Sequence, residues 1–272
     1  MRWLPVLLLL AACGGGRPPP EPPDAELARL ARTGQLAFAQ GRPDQAATLF
    51  REALARARTR DDAGAIGDQA TNLAIAELRR RDDAAARDVA SAARDELQRR
   101  GAAVPPELVL AEATARWRLG DAGAEALARE AAGAAPTASA ASFVLGMIAA
   151  DRGDRAGLAA ARGKVTEPAD AAELDARADT GAASREKFLR MAVLRQDAND
   201  YAAMGRALAG AAAAMPGAPD TPDLWLRAAR AAAGARDRRN AETWFTRARA
   251  AGNAGVRRDA DAGLAALRES AG

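Results

Sequence analysis

The sequence predicts an all-α fold, a solenoid of stacked helix-turn-helix units. Three observations carry that expectation. From residue 25 onward the vocabulary is alanine, leucine, arginine and glutamate, all strong helix formers. Gly, Asp and Pro interrupt it at regular intervals, where turns between short helices belong. No run of alternating β-branched residues occurs, and no hairpin dipeptide separates such runs.

Composition excludes much chemistry. The chain has 272 residues, 49% hydrophobic, 28% charged and 4% aromatic, with no histidine and one cysteine. The commonest general base is therefore missing. One cysteine allows no intramolecular disulfide, no zinc ribbon and no Cys-His nucleophile pair. Charge is nearly balanced, 39 basic against 36 acidic residues, and Lys164 and Lys187 are the only lysines. Arginine is usually followed by an acid within a few residues, as from Arg56 to Asp62 and from Arg79 to Asp83. That is a solvated face of mixed sign. No basic stripe with interleaved aromatics appears, so no nucleic-acid partner is expected.

In chain order, residues 1–13 carry one positive charge, an apolar run and small residues before Cys13. The apolar run is shorter than the roughly 20 residues that cross a bilayer, and reads as the apolar core of a signal peptide. Its ending, Leu10-Ala11-Ala12-Cys13, resembles the bacterial lipobox. That resemblance implies cleavage after residue 12, lipidation of Cys13 and further acylation of the new N-terminus. Gly14 follows, and not the aspartate that retains many such lipoproteins at the inner membrane. The resemblance therefore implies a lipid-anchored protein of the outer membrane facing the periplasm, if the source is Gram-negative. Residues 13–24 are glycines and then prolines, a flexible then extended tether. Residues 25–272 form the helical body.

The body repeats a pattern at both ends. Near its start stand Leu30, Thr33-Gly34 and Ala37, then Ala46, Phe50 and Ala53. Near its end stand Trp225, Ala228-Ala229 and Ala232, then Ala241, Phe245 and Ala248. Leu145-Gly146 with Ala149, Gly153-Asp154 and Leu158 is a third match. These spacings resemble the tetratricopeptide repeat, Trp-x₂-Leu-Gly-x₂-Tyr followed by Ala-x₃-Phe over two helices. The resemblance implies a right-handed superhelix of such pairs. Gly34, Gly146 and Ala229 would sit where helices cross, Ala46 and Ala241 would let the second helix approach, and Phe50 and Phe245 would fill the gap, with Trp225 opening the last unit.

Turns are expected at Gly41 to Asp44 and Arg236 to Arg238, with Pro222 and Asp223 starting a helix. The stretches Ala74 to Ala93 and Trp117 to Ala131 look like degenerate units. From Gly163 to Tyr201 the register supports only helix, turn, helix. Residues 256–267 read as a capping helix. By the repeat register Gln35, Phe38, Leu226 and Arg230 face the groove. Ala31 and Gln35, where some relatives of this family hold a partner's terminal carboxylate, cannot form that clamp.

Chemistry is sparse. Ser184-Arg185-Glu186-Lys187 matches Ser-x-x-Lys, but the companion Ser-Asp-Asn and Lys-Thr-Gly motifs are absent and Ser184 reads better as a helix N-cap. Asp61-Asp62, Asp82-Asp83 and Asp197 to Asp200 read as turn and cap residues, not as glycosidase or calcium sites. No catalytic residue, metal, cofactor or small-molecule substrate is expected. The expected function is a membrane-anchored adaptor or scaffold for a protein or peptide partner in the cell envelope. A hydrolase, or an activator of a peptidoglycan enzyme, built on Ser184 and Lys187 or on a groove carboxylate is the rival, and a plain spacer the third reading.

Overall fold

The computed structural model describes residues 24–269, which form fourteen helices and no strand. The expected signal peptide, Cys13 and all of the expected tether except Asp24 lie outside the described residues. The helices are α1 (Ala25–Ala39), α2 (Pro43–Thr59), α3 (Ala63–Arg80), α4 (Asp83–Arg99), α5 (Pro106–Leu119), α6 (Ala124–Ala132), α7 (Ala138–Asp151), α8 (Arg155–Arg162), α9 (Pro168–Ala178), α10 (Gly181–Asp197), α11 (Tyr201–Ala214), α12 (Thr221–Gly234), α13 (Arg238–Ala251) and α14 (Ala254–Glu269).

Short polar side chains start these helices. Asp24, Asp62, Asp82, Asp154 and Asp200 each accept a backbone N–H from the first turn, at 2.9–3.0 Å. Each satisfies a donor that the helix leaves unpaired. Pro43, Pro106, Pro168 and Pro222 occupy first-turn positions, where a missing N–H costs nothing.

Six helix pairs share one kind of turn, which also occurs between α2 and α3 at Asp61-Asp62. In each, a residue with positive φ ends the first helix: Gly41, Arg81, Gly120, Gly153, Asn199 and Arg236. An aspartate follows in all but the first, where Arg42 stands. These turns join α1–α2, α3–α4, α5–α6, α7–α8, α10–α11 and α12–α13. Two helices fall outside the pairing: α9, inserted after the fourth pair, and α14 at the end.

Small residues set how closely the pairs pack. A Cβ on Gly34 would stand 2.6 Å from the Phe50 ring, and one on Gly146 would stand 2.7 Å from Leu174. Ala46, Ala86 and Ala241 each sit fourth in their helix and are fully buried. Ala229 and Phe245 are buried in the C-terminal core, where the Arg247 guanidinium lies 4.7 Å over the Trp225 ring. The last helix covers that core with Val256, Ala260 and Leu264.

The inserted α9 explains the poor register between 163 and 201. It packs against α7, α8 and α10. Helices of a solenoid alternate between an inner and an outer layer, so one extra helix exchanges the layers. Before it, the first helices of pairs (α3, α5, α7) line the interior; after it, the second helices (α11, α13) do.

The two ends of the solenoid meet. Asp44 at the start of α2 accepts from Arg80 of α3 at 2.8 Å and pairs with Arg236 in the α12–α13 turn. In the same place Arg81 pairs with Asp237 at 3.0 Å. The helices thus enclose a central space.

Candidate interaction cavity

The central space is an open cavity of about 1320 Å³, walled by side chains from α3, α5, α7, α9, α11 and α13. A second cavity of about 660 Å³ adjoins it. Arg80, Arg81, Arg118, Arg206 and Arg236 line both. The smaller cavity is strongly basic, with seven arginines against two aspartates, Asp44 and Asp200.

Three arginines on that shared wall differ in how they are satisfied. Arg81 ends α3 with a φ of +66° and pairs with the buried Asp237. Arg118 donates to the Leu78 carbonyl at 3.3 Å and to Asp83 at 3.2 Å, which ties α5 to the end of α3. Burial and the neighbouring Arg81 push its pKa down to about 10, so it stays charged at neutral pH. Arg206, one turn into α11, makes no hydrogen bond or ion pair with any described residue. Burial lowers its pKa, Arg81 adds to that effect, and Glu173, Asp200 and Asp237 oppose it from a distance.

Part of the larger cavity's lining is apolar, beside five acidic residues, Asp82, Asp83, Glu173, Asp237 and Glu242. Trp117, Phe143 and Met147 form that part, with Leu119 41% exposed at its edge. The Trp117 indole donates to Asp151 at 2.9 Å, which fixes the ring. A cavity lined by arginines together with aromatic and aliphatic side chains can bind an anionic chain with apolar side chains.

The residues singled out in the sequence fall elsewhere. Gln35 is exposed and Phe38 packs half-buried on the N-terminal core. Leu226 is buried at 5% exposure, and Arg230 pairs with Asp259 of α14 at 2.7 Å. None of the four lines either cavity; for Leu226 and Arg230 the reason is that α12 lies in the outer layer once α9 has exchanged the layers, while α1 lies beyond the stretch of helices that wall the larger cavity.

Ser184 is not an N-cap. That position is Thr180, and Ser184 sits one turn inside α10, 4% exposed, donating to the Ala176 carbonyl at 2.7 Å. Lys187 pairs with Asp179 at 2.6 Å. The two residues of the Ser-x-x-Lys motif are thus each committed to holding α10 against the end of α9. Asp62, Asp82 and Asp200 are caps, as their spacing implies. Among the described residues no cluster of three or more His, Cys, Asp or Glu side chains is arranged to hold a metal ion.

Sequence reasoning missed Arg81, Arg118 and Arg206. One signal was available: at residues 81 and 236 an arginine stands where the equivalent turns carry glycine or asparagine, the residues that accept positive φ.

No protein-family model matches the chain, and no curated protein matches its sequence. Among solved structures, a tetratricopeptide repeat protein from Parabacteroides merdae superposes with a TM-score of 0.50 at 14% identity, over 90% of this chain and all of that one. The TPR2AB domain of yeast Sti1, in its complex with pHSP90, gives a TM-score of 0.33 at 14% identity over 89% of this chain and 98% of that one. With its paired helices, small-residue crossings and repeated turns, the chain has a tetratricopeptide-repeat-like α-solenoid fold.

Proposed function

We propose that this chain is a lipid-anchored adaptor of the bacterial cell envelope. Cys13 would hold it to the outer membrane through its acyl chains, facing the periplasm. The Gly- and Pro-rich residues 13–24 would set its reach, and the solenoid would dock a protein or peptide partner. Two or more acyl chains, at about 0.8 kcal/mol per buried CH₂, make a durable anchor. Tethering then raises the effective concentration of the docking surface near its membrane-bound partners.

The observation that carries this reading is the cavity of about 1320 Å³, lined by alternate helices along most of the chain. Repeat folds present such concave surfaces to extended partners. The hydrolase reading built on Ser184 and Lys187 loses support because both are engaged in contacts between α9 and α10 and line neither cavity.

The test is cross-linking in cells, solubilisation in mild detergent and identification of what co-purifies, done with the wild type and with Cys13→Ala. The expected result is an envelope protein recovered with the wild type, and release of Cys13→Ala from the membrane fraction. Recovery of the chain alone would overturn the adaptor role, and a Cys13→Ala variant still bound to membranes would overturn the anchor.

A further inference from the structure

The wall shared by the two cavities holds Arg81, Arg118 and Arg206, and Arg206 has no partner among the described residues. A guanidinium removed from bulk water without a carboxylate is unfavourable in the folded protein. Structural arginines elsewhere in this chain do not behave so. Arg51, Arg94 and Arg116 all reach the fully buried Glu77 or Glu112 at 2.7–3.0 Å. Arg206 remains partly accessible from the cavity, so an entering anion can reach it. Its lowered pKa has burial as the largest cause, and a bound anion would offset that cost.

Three features argue for a chain and not for a small ion. The basic cavity of about 660 Å³ opens beside the larger one, far more room than a single phosphate fills. The larger cavity that the arginines border is also lined by Trp117, Phe143 and Met147, which offer nothing to a free anion. Seven arginines against two aspartates in the smaller cavity present a field that one charge would not neutralise.

We propose that the closed solenoid binds an extended acidic peptide segment of its partner, with carboxylates held by Arg206 and Arg118 and an apolar side chain seated on Trp117 and Phe143. This rests on the adaptor reading and names the chemistry of its partner. Arg81 is engaged by Asp237 and keeps the wall positive without being the primary contact. Arg206 is the leading contact because its donors are free, and its planar fork suits a carboxylate.

The test uses the full chain in mild detergent and a fluorescein-labelled ten-residue peptide, glutamates around one central leucine, read by anisotropy. A lysine counterpart of the peptide, inorganic phosphate, Arg206→Gln, and Arg258→Gln on the exposed face of α14 are the comparisons. The acidic peptide is expected to bind and the lysine peptide not to. Binding should weaken with added salt, and millimolar phosphate should not displace the peptide. Arg206→Gln should weaken binding about tenfold or more, with a melting temperature equal to or above the wild type, while Arg258→Gln binds normally. If Arg206→Gln melts earlier, Arg206→Lys, which keeps the charge and loses the fork, carries the comparison and is expected to bind more weakly.

No binding of the acidic peptide, unchanged binding by both Arg206 variants, or complete displacement by phosphate overturns the proposal. An envelope partner cross-linked outside the cavity, with no acidic-peptide binding, overturns this inference and leaves the adaptor reading standing. Peptide binding that needs Arg206, with the chain recovered alone from cells, upholds the site and overturns the adaptor role.

Discussion

Gly34 shows how one residue decides the approach of a helix pair. An added Cβ there would meet the Phe50 ring at 2.6 Å, and that ring is itself only 2% exposed and cannot swing clear. Valine at 34 gains a little helix propensity and loses more to overpacking, so Gly34→Val should destabilise by about 1–3 kcal/mol. Urea unfolding followed by helical circular dichroism checks this, and a variant as stable as the wild type would mean the first pair packs otherwise. Ser184 teaches the converse. Its neighbours in sequence form a motif with chemical meaning elsewhere, and here its hydroxyl is spent on the Ala176 carbonyl. A motif of two residues does not specify what surrounds them.

The telling feature among the elements is the pair of turns at Arg81 and Arg236, which bring the first and last thirds of the chain together. Asp44 lies between Arg80 and Arg236, and the Arg80 hydrogen bond, followed by the charge of Arg236, holds its carboxyl below the ordinary range against the opposing effect of burial. A carboxylate whose pKa is depressed on folding contributes stability that is complete above its unfolded value. That contribution disappears as pH falls through the lower folded value. The contact between α2 and the α12–α13 turn should therefore loosen below about pH 4 and hold at neutral pH. Protection of the amides in residues 42–46 and 234–238, taken relative to intrinsic exchange at each pH from 7 downward, should fall first in that acid window. In Asp44→Asn those amides should exchange faster already at neutral pH, with a smaller further change on acidification. Equal protection in the two proteins at pH 7 would show that the carboxylate does not hold the closure.

For the whole molecule, a solenoid needs its ends covered, because each pair buries its apolar face only against a neighbour. The covering element at the C-terminus is α14, which buries Val256, Ala260 and Leu264. Ending the chain after Asn253 should cost about 4–7 kcal/mol from the lost burial of these side chains, an upper value because the unfolded chain is already partly collapsed. The expected outcome is a lower melting temperature and concentration-dependent aggregation through the uncovered Phe245 surface, checked by calorimetry and light scattering. A truncated chain that melts like the wild type would assign the capping role elsewhere.

The sequence by itself determined that the chain is helical, where most helices begin, and how the first and last pairs pack. Those properties are local. Aspartate caps and prolines act within one turn, and the Gly, Ala and Phe spacings act between two adjacent helices, so Gly34, Ala46, Phe50, Ala241 and Phe245 could be placed from their neighbours alone. Tertiary structure decided which face looks inward. That depends on counting helices through a region without repeat register, and the single insertion of α9 turned Leu226 into core and directed Arg230 toward Asp259. It also decided that Arg236 would meet Asp44, 192 residues away in the chain, and that Arg118 and Arg206 would share one wall. Spacing along the sequence carries no record of such encounters, because they are fixed by the summed geometry of every pair between.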